Sequence, residues 1–301
     1  SRFCFPVRVW DFIQHLHRGP GFEEMKIPRN MAMTFAERCK NVLLSNWRAK
    51  FHTVKADDKG SNTDVYTTTA KYVFQEGKPY IWIPDDDFTN VTPLRVALTG
   101  EIQRRPQEKI QSDRENLKDA LSAEQKAINE FRWSVTSILS SSGYPFRSID
   151  MQILLDPRQA YVIYEFFLRS CSFIDCSGAV HEVSTEDVEA AMADSLSPFA
   201  AKIIDGINQS EVRRRALVFL CYTQMNAIAK DAYLLSIDRK GLDVLGKVPG
   251  SMLKDGSHEY EWQEFRLGLI EEADSVEAFC SQLAQMEEEA VGEIRSSNGL
   301  F

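Results

Sequence analysis

The chain has 301 residues, of which 44% are hydrophobic and 26% charged. That balance is the ordinary globular one and excludes collagen-like, coiled-coil and disordered classes. The net charge of -9 sits wholly in residues 251–301, with 3 basic and 12 acidic side chains against 32 and 32 before them. An acidic tail on a neutral body argues against sequence-independent binding to nucleic acid, which needs a basic face. It also argues against an anionic membrane surface. No uncharged apolar run approaches the roughly 18 residues of a membrane span. The chain opens on Ser1 rather than methionine, so an upstream segment is expected.

Residues 1–32 read as an N-terminal arm, with an amphipathic helix over Val7–His17 ending at Gly19–Gly21. A helix follows over Thr34–Leu44. The pattern then changes to strands: Ala49–Lys55, Asp64–Phe74 and Pro79–Ile83, separated by turns at Asp57–Gly60 and Gln75–Lys78. Thr92–Ile102 alternates Leu94, Val96 and Leu98 with Arg95, Ala97 and Thr99, as a half-buried strand does. Pro106–Ile138 has helical spacing. Ile149–Leu155 and Gln159–Phe167 read as strands, and Thr185–Met192 as a helix capped by Ser184 or Thr185. A boundary is expected at Ser195–Pro198. Beyond it come helices at Pro198–Ile207 and Glu211–Ala229. Strands follow at Ala232–Asp238, Leu242–Val248 and Trp262–Ile270. A last helix carries Val276, Phe279, Cys280, Leu283 and Met286 on one stripe. The domains are thus 1–32, 33–194 and 195–301.

Three stretches in this order carry a resemblance: TPLRVALTGEI, SIDMQILLDPRQAYVIYEFF and AKDAYLLSIDRKGLDVL. They resemble the flavin-binding split-barrel proteins related to pyridoxamine-phosphate oxidase, over roughly Met33–Ala290. The likeness is greatest to the branch with an appended C-terminal α/β domain. That branch includes HugZ-type haem-degrading proteins and the plant glutamyl-tRNA reductase-binding protein. The resemblance implies an α+β fold, a split β-barrel followed by a small α/β domain. It also implies haem or FMN as ligand, a homodimer through the barrel, and a plastid stroma location.

Two departures bear on function. The family's C-terminal domain opens on a His-Met-Asn-x-Asp-His signature, but here the stretch reads Gly206-Ile207-Asn208-Gln209-Ser210-Glu211 and keeps only Asn208. Where the family grips the flavin phosphate, this chain has Asp85-Asp86-Asp87-Phe88-Thr89-Asn90. Three acids there repel a phosphate. There is also no Gly-rich phosphate loop, no G-x-S-x-G and no H-E-x-x-H.

Trp47, Arg48, Lys50 and His52 open the first barrel strand as a basic, aromatic edge suited to a planar anion. The alternative is a solvated edge with blunting charges. Thr67, Thr68 and Thr69 offer hydroxyls, and Arg95 a guanidinium or a structural ion pair. Arg48, His52, Thr67, Thr69 and Arg95 are the candidate cofactor contacts. His258 is the candidate haem ligand, His15 and His17 read as surface residues, and Cys171 with Cys176 is a candidate soft-metal pair. The six cysteines lack zinc-finger spacing and read as reduced, buried thiols. Glu287, Glu288 and Glu289 form either a solvated face or a docking surface for a basic partner.

The expected function is a non-catalytic binding or regulatory protein of tetrapyrrole metabolism, holding haem or a protein partner. The alternatives are a HugZ-like haem oxygenase or flavin oxidoreductase, and an assembly subunit of a large plastid complex.

Overall fold

The computed structural model describes residues 2–6, 33–56, 63–75, 78–84, 94–158, 161–175, 179–252 and 258–297. Side chains are described for 33–50, 70–74, 79–81, 96–158, 161–175, 179–251 and 259–294. The chain divides into two units. The first holds Thr34–Glu130 and Phe146–Ala193 with the strand Arg2–Pro6, and the second holds Phe131–Pro145 and the chain from Asp194 onward.

The first unit is built on seven strands: β1 Arg2–Pro6, β2 Arg48–Ala56, β3 Thr63–Gln75, β4 Lys78–Pro84, β5 Leu94–Arg104, β6 Tyr161–Ile174 and β7 Val180–Val183. Their order is β4-β3-β2-β1-β5-β6-β7, with every pairing antiparallel. A further pairing of β4 with β6, from Tyr80 opposite Glu165 to Pro84 opposite Tyr161, closes the first six strands into a barrel. The fold is therefore α+β, with a split-barrel sheet.

Strand alternation fills the barrel. On β5, Val96, Leu98 and Gly100 are buried while Ala97 and Thr99 are half-buried and Glu101 is exposed. Val96 and Leu98 form one apolar cluster with Ala49, Ala70, Tyr72, Ile81, Phe166 and Phe173. Helix α1 (Phe35–Ser45) closes on it with Cys39 and Leu43. It starts where it does because Thr34 caps it. The Thr34 hydroxyl accepts from the Glu37 amide at 3.1 Å, and the Glu37 carboxylate accepts from the Thr34 amide at 2.9 Å. Helix α2 spans Gln107–Asn129.

Three expectations need correction here. Arg2–Pro6, expected in an arm, is a barrel strand between β2 and β5. The helix expected over Val7–His17 lies outside the described residues. Ile149–Leu155 is not a strand. It is the end of helix α4 (Arg147–Met151) and a 3₁₀ turn, Gln152–Leu155. Ser148, Met151 and Leu154 are buried three apart while Ile149 and Ile153 are exposed, a helical division of an apolar run. The helix expected over Pro106–Ile138 is two: α2 ends at Asn129, and α3 (Trp133–Leu139) falls in the second unit. Strand β7 and the last helix of the first unit, α5 (Thr185–Ala190), complete that unit. Ser184 caps α5 through a hydrogen bond from the Asp187 amide at 3.2 Å.

The second unit packs α3, α6 (Ser197–Gln209), α7 (Glu211–Met225) and α8 (Val276–Ser297) with an antiparallel sheet, ordered β10-β9-β8. Its strands are β8 Asp231–Asp238, β9 Gly241–Met252 and β10 His258–Gly268. Leu234, Val244, Phe265 and Leu267 of the sheet are buried, as are Ile203, Leu220, Phe279 and Leu283 of the helices. Gly206 lets α6 approach α3 closely, because a Cβ there would lie 2.3 Å from the Ile138 carbonyl oxygen. Asn208 closes the free edge of β8. Its amide nitrogen donates to the Leu234 carbonyl at 2.9 Å and its oxygen accepts from the Leu234 amide at 2.8 Å. That is a strand's pair of hydrogen bonds made by one side chain.

Candidate functional site

The start of β2 places Trp47 and Arg48 beside Asp150 of α4. The Trp47 indole donates to the Asp150 carboxylate at 2.6 Å. Arg48 donates twice to it, Nε at 3.1 Å and Nη2 at 2.6 Å. Lys71 of β3 donates to the Asp150 backbone oxygen at 2.6 Å and lies 3.1 Å from its carboxylate. Burial alone would raise the Asp150 pKa, but hydrogen bonds from Arg48, Trp47 and Lys71 more than offset it and hold the carboxyl at about 2. Burial lowers the Lys71 pKa, with Asp150 opposing.

Of the basic, aromatic edge expected from the sequence, Trp47 and Arg48 come together, and they turn on an internal carboxylate. Lys50, expected at the same exposed edge, is buried. Asp150→Asn should cost about 1–2 kcal/mol, reduced by the solvent that still reaches Arg48. The Asp150 carboxyl titrates below the usual value of about 3.9. Its stabilisation is therefore complete above about pH 4 and lost as pH falls through about 2. Denaturant midpoints of wild type and D150N, separated at pH 6, should converge toward pH 2.

The other barrel candidates are placed by backbone alone. His52 stands opposite Thr67, and Lys50 opposite Thr69, across β2 and β3. Arg95 lies in β5, and His258 opens β10 opposite Met252. The side chains of His52, Thr67, Thr68, Thr69, Arg95 and His258 lie outside the described residues. His15, His17, Asp85–Asn90 and Cys176 lie outside them entirely. Cys171 meets Cys39, with sulfurs 3.6 Å apart in the barrel core. Cys39, Cys171, Cys221 and Cys280 are free and buried. Among the described residues, no group of three His, Cys, Asp or Glu side chains is placed to hold a metal.

The acidic run divides. Glu287 turns inward, its carboxylate accepting from Arg213 Nη1 at 3.3 Å, and burial pushes its pKa up. Glu288 and Glu289 are exposed. The face expected of all three, solvated or docking, therefore loses Glu287, since α8 buries Met286 and Ala290 and carries Glu287 part-way inward with them. The basic groups of α7 belong to no site expected from the sequence. The run Arg213-Arg214-Arg215 was the available signal.

Neither a family model nor a curated protein matches the chain. Among solved structures it is similar to a heme binding protein from Mycobacterium smegmatis, at 16% identity over 89% of this chain and 100% of that one, with a TM-score of 0.44. It is also similar to a protein of unknown function from Agrobacterium tumefaciens str. C58, at 15% identity over 89% and 100%, with a TM-score of 0.28. The barrel itself is read from its strand order and the closing β4–β6 pairing.

Proposed function

We propose that this chain is a non-catalytic binding protein on a barrel of the pyridoxamine-phosphate-oxidase-like kind. It acts in tetrapyrrole metabolism in the plastid stroma and holds haem or a basic protein partner. The observation that carries this reading is the hub at Asp150. Of the candidate cofactor contacts whose side chains are described, Arg48 is engaged by one internal carboxylate, together with Trp47 and Lys71. That supports a barrel kept as a scaffold. The Asn208 clamp supports it too. Of the family-like signature, the chain keeps the residue that closes β8 and lacks the histidines.

In this reading His258 supplies the axial ligand to haem, exposed Glu288 and Glu289 meet the partner, and two copies associate through the barrel. The test is absorbance of the full chain titrated with haem and with FMN. The expected result is a Soret band that persists under reductant and oxygen and shifts in H258A. If no Soret band forms, a partner captured from plastid extract should be lost in E288Q/E289Q. Consumption of the haem, or stable binding of FMN, would overturn the reading in favour of an enzyme. So would the lack of a Soret band combined with undiminished capture by E288Q/E289Q.

A further inference from the structure

The second unit has a cleft of about 360 Å³ between α7 and the strands β8 and β9. Glu211, Arg214 and Arg215 line one wall, and Lys230, Asp231 and Lys247 line the other. The wall of strands is set by register: Asp231 stands opposite Lys247, and Lys247 opposite Trp262, in one row across the sheet.

The two acids are already engaged. Glu211 holds Arg215 one turn along α7. Asp231 lies 3.6 Å from Arg214, which also donates to the Tyr233 hydroxyl. The lysines differ. Lys247 Nζ lies 5.6 Å from the centre of the Trp262 ring, and Lys230 Nζ 5.0 Å from that of Tyr260. Among the described residues neither makes an ion pair with a carboxylate. Arg214 Nε is shielded from solvent and, among the described residues, has no acceptor. Four cations against two carboxylates leave the cleft with a formal charge of about +2, although the whole chain is acidic.

We infer that this cleft binds a small phosphate monoester. At neutral pH such a group carries close to two negative charges, since its second pKa is about 6. That matches the unbalanced charge of the walls. Arg214 Nη1 is held by Tyr233 and Asp231 on the helix wall and adds its charge there, and the lysines supply point charges from the opposite side. The rings of Trp262 and Tyr260 hold those ammonium groups over the strands without neutralising them. The volume lies at the small end of ligand sites, about 300–1,000 Å³. A net positive cleft on a negative protein also concentrates the anion locally. The cleft is lined by other residues than His258, so the phosphate test reads separately from haem binding.

The test is calorimetric titration of the full chain at low salt with glycerol 3-phosphate, with orthophosphate, and with phosphatidylcholine vesicles containing phosphatidic acid. The expected result is saturable one-site binding of the soluble ester. Binding should weaken at least tenfold in K230Q/K247Q and in R214Q. It should also weaken from pH 7.5 to pH 5, as the ester takes up its second proton. Circular dichroism of the variants, whose lysines are partly exposed, should be unchanged. Three results would each overturn the proposal: no saturable binding of the ester, equal binding by wild type and K230Q/K247Q, or binding to the vesicles only.

Discussion

Arg266→Ala should destabilise the second unit by about 3–5 kcal/mol, the usual cost of breaking one side of a buried ion pair. Arg266 of β10 is only 6% exposed at its side chain, with Asp238 at 4% and Asp243 at 8%. Arg266 donates to both oxygens of Asp238 at 2.7 Å and to Asp243 at 3.3 Å. Burial alone would lower the guanidinium pKa, but the two carboxylates reverse that and hold it above its ordinary range. Asp238 also shapes the turn between β8 and β9, accepting from the amides of Lys240 at 2.8 Å and Gly241 at 3.2 Å. Removing the arginine strands two carboxylates in a dry site, one of them inside a turn. Urea unfolding should show the loss as a lower midpoint. The triple variant R266M/D238N/D243N should recover most of it, because neutral groups carry no such desolvation cost. A loss below about 1 kcal/mol in R266A would mean that water reaches the carboxylates and that the network is not sealed.

Local signals were legible where a residue's neighbours in sequence are also its neighbours in space. The helix starting at Thr34, the alternation of Val96 and Leu98, and the stripe from Val276 to Met286 each rest on neighbours within one element. Ile149–Leu155 departs from the expected strand because a short apolar run has the same composition in a strand and in a buried helical turn. Only the burial of Ser148, Met151 and Leu154 decides between them. Strand β7 is four residues long, too short to display a period. The β4–β6 pairing that closes the barrel joins residues about eighty positions apart, and no local pattern encodes it.

The candidate site was half legible for the same reason. Trp47 and Arg48 announce a basic, aromatic edge, but the carboxylate that claims them lies 103 and 102 positions away, in a segment read as a strand. The turn motif Asp238 to Asp243 is visible in the sequence, and its cation, Arg266, is not. Charge runs misled in one direction only. Three consecutive acids on α8 face different ways, because successive helical residues turn by about 100°.

Gly100→Ala should cost the barrel about 3 kcal/mol, near the top of the usual range for overpacking. Gly100 sits on β5 at a shift in register, where Thr99 pairs with Ser170 and Gly100 with Leu168 of β6. A Cβ there would lie 2.1 Å from the Phe167 carbonyl oxygen and 2.6 Å from the Phe166 ring. Phe166 is buried in the barrel core and β6 is paired on both sides, so neither obstacle can move alone. The strand pair must separate or the ring must leave its place, and either change disrupts close packing. A fall in the midpoint of thermal unfolding of about 6–12 °C is expected for a unit of this size. Gly292 of α8 supplies the control, since a Cβ added there meets nothing within 4 Å. Gly292→Ala should therefore stabilise by about 0.5–1 kcal/mol through helix propensity. Opposite signs for one added methyl group would assign the Gly100 effect to the close approach of β5 and β6. Equal signs would remove that explanation.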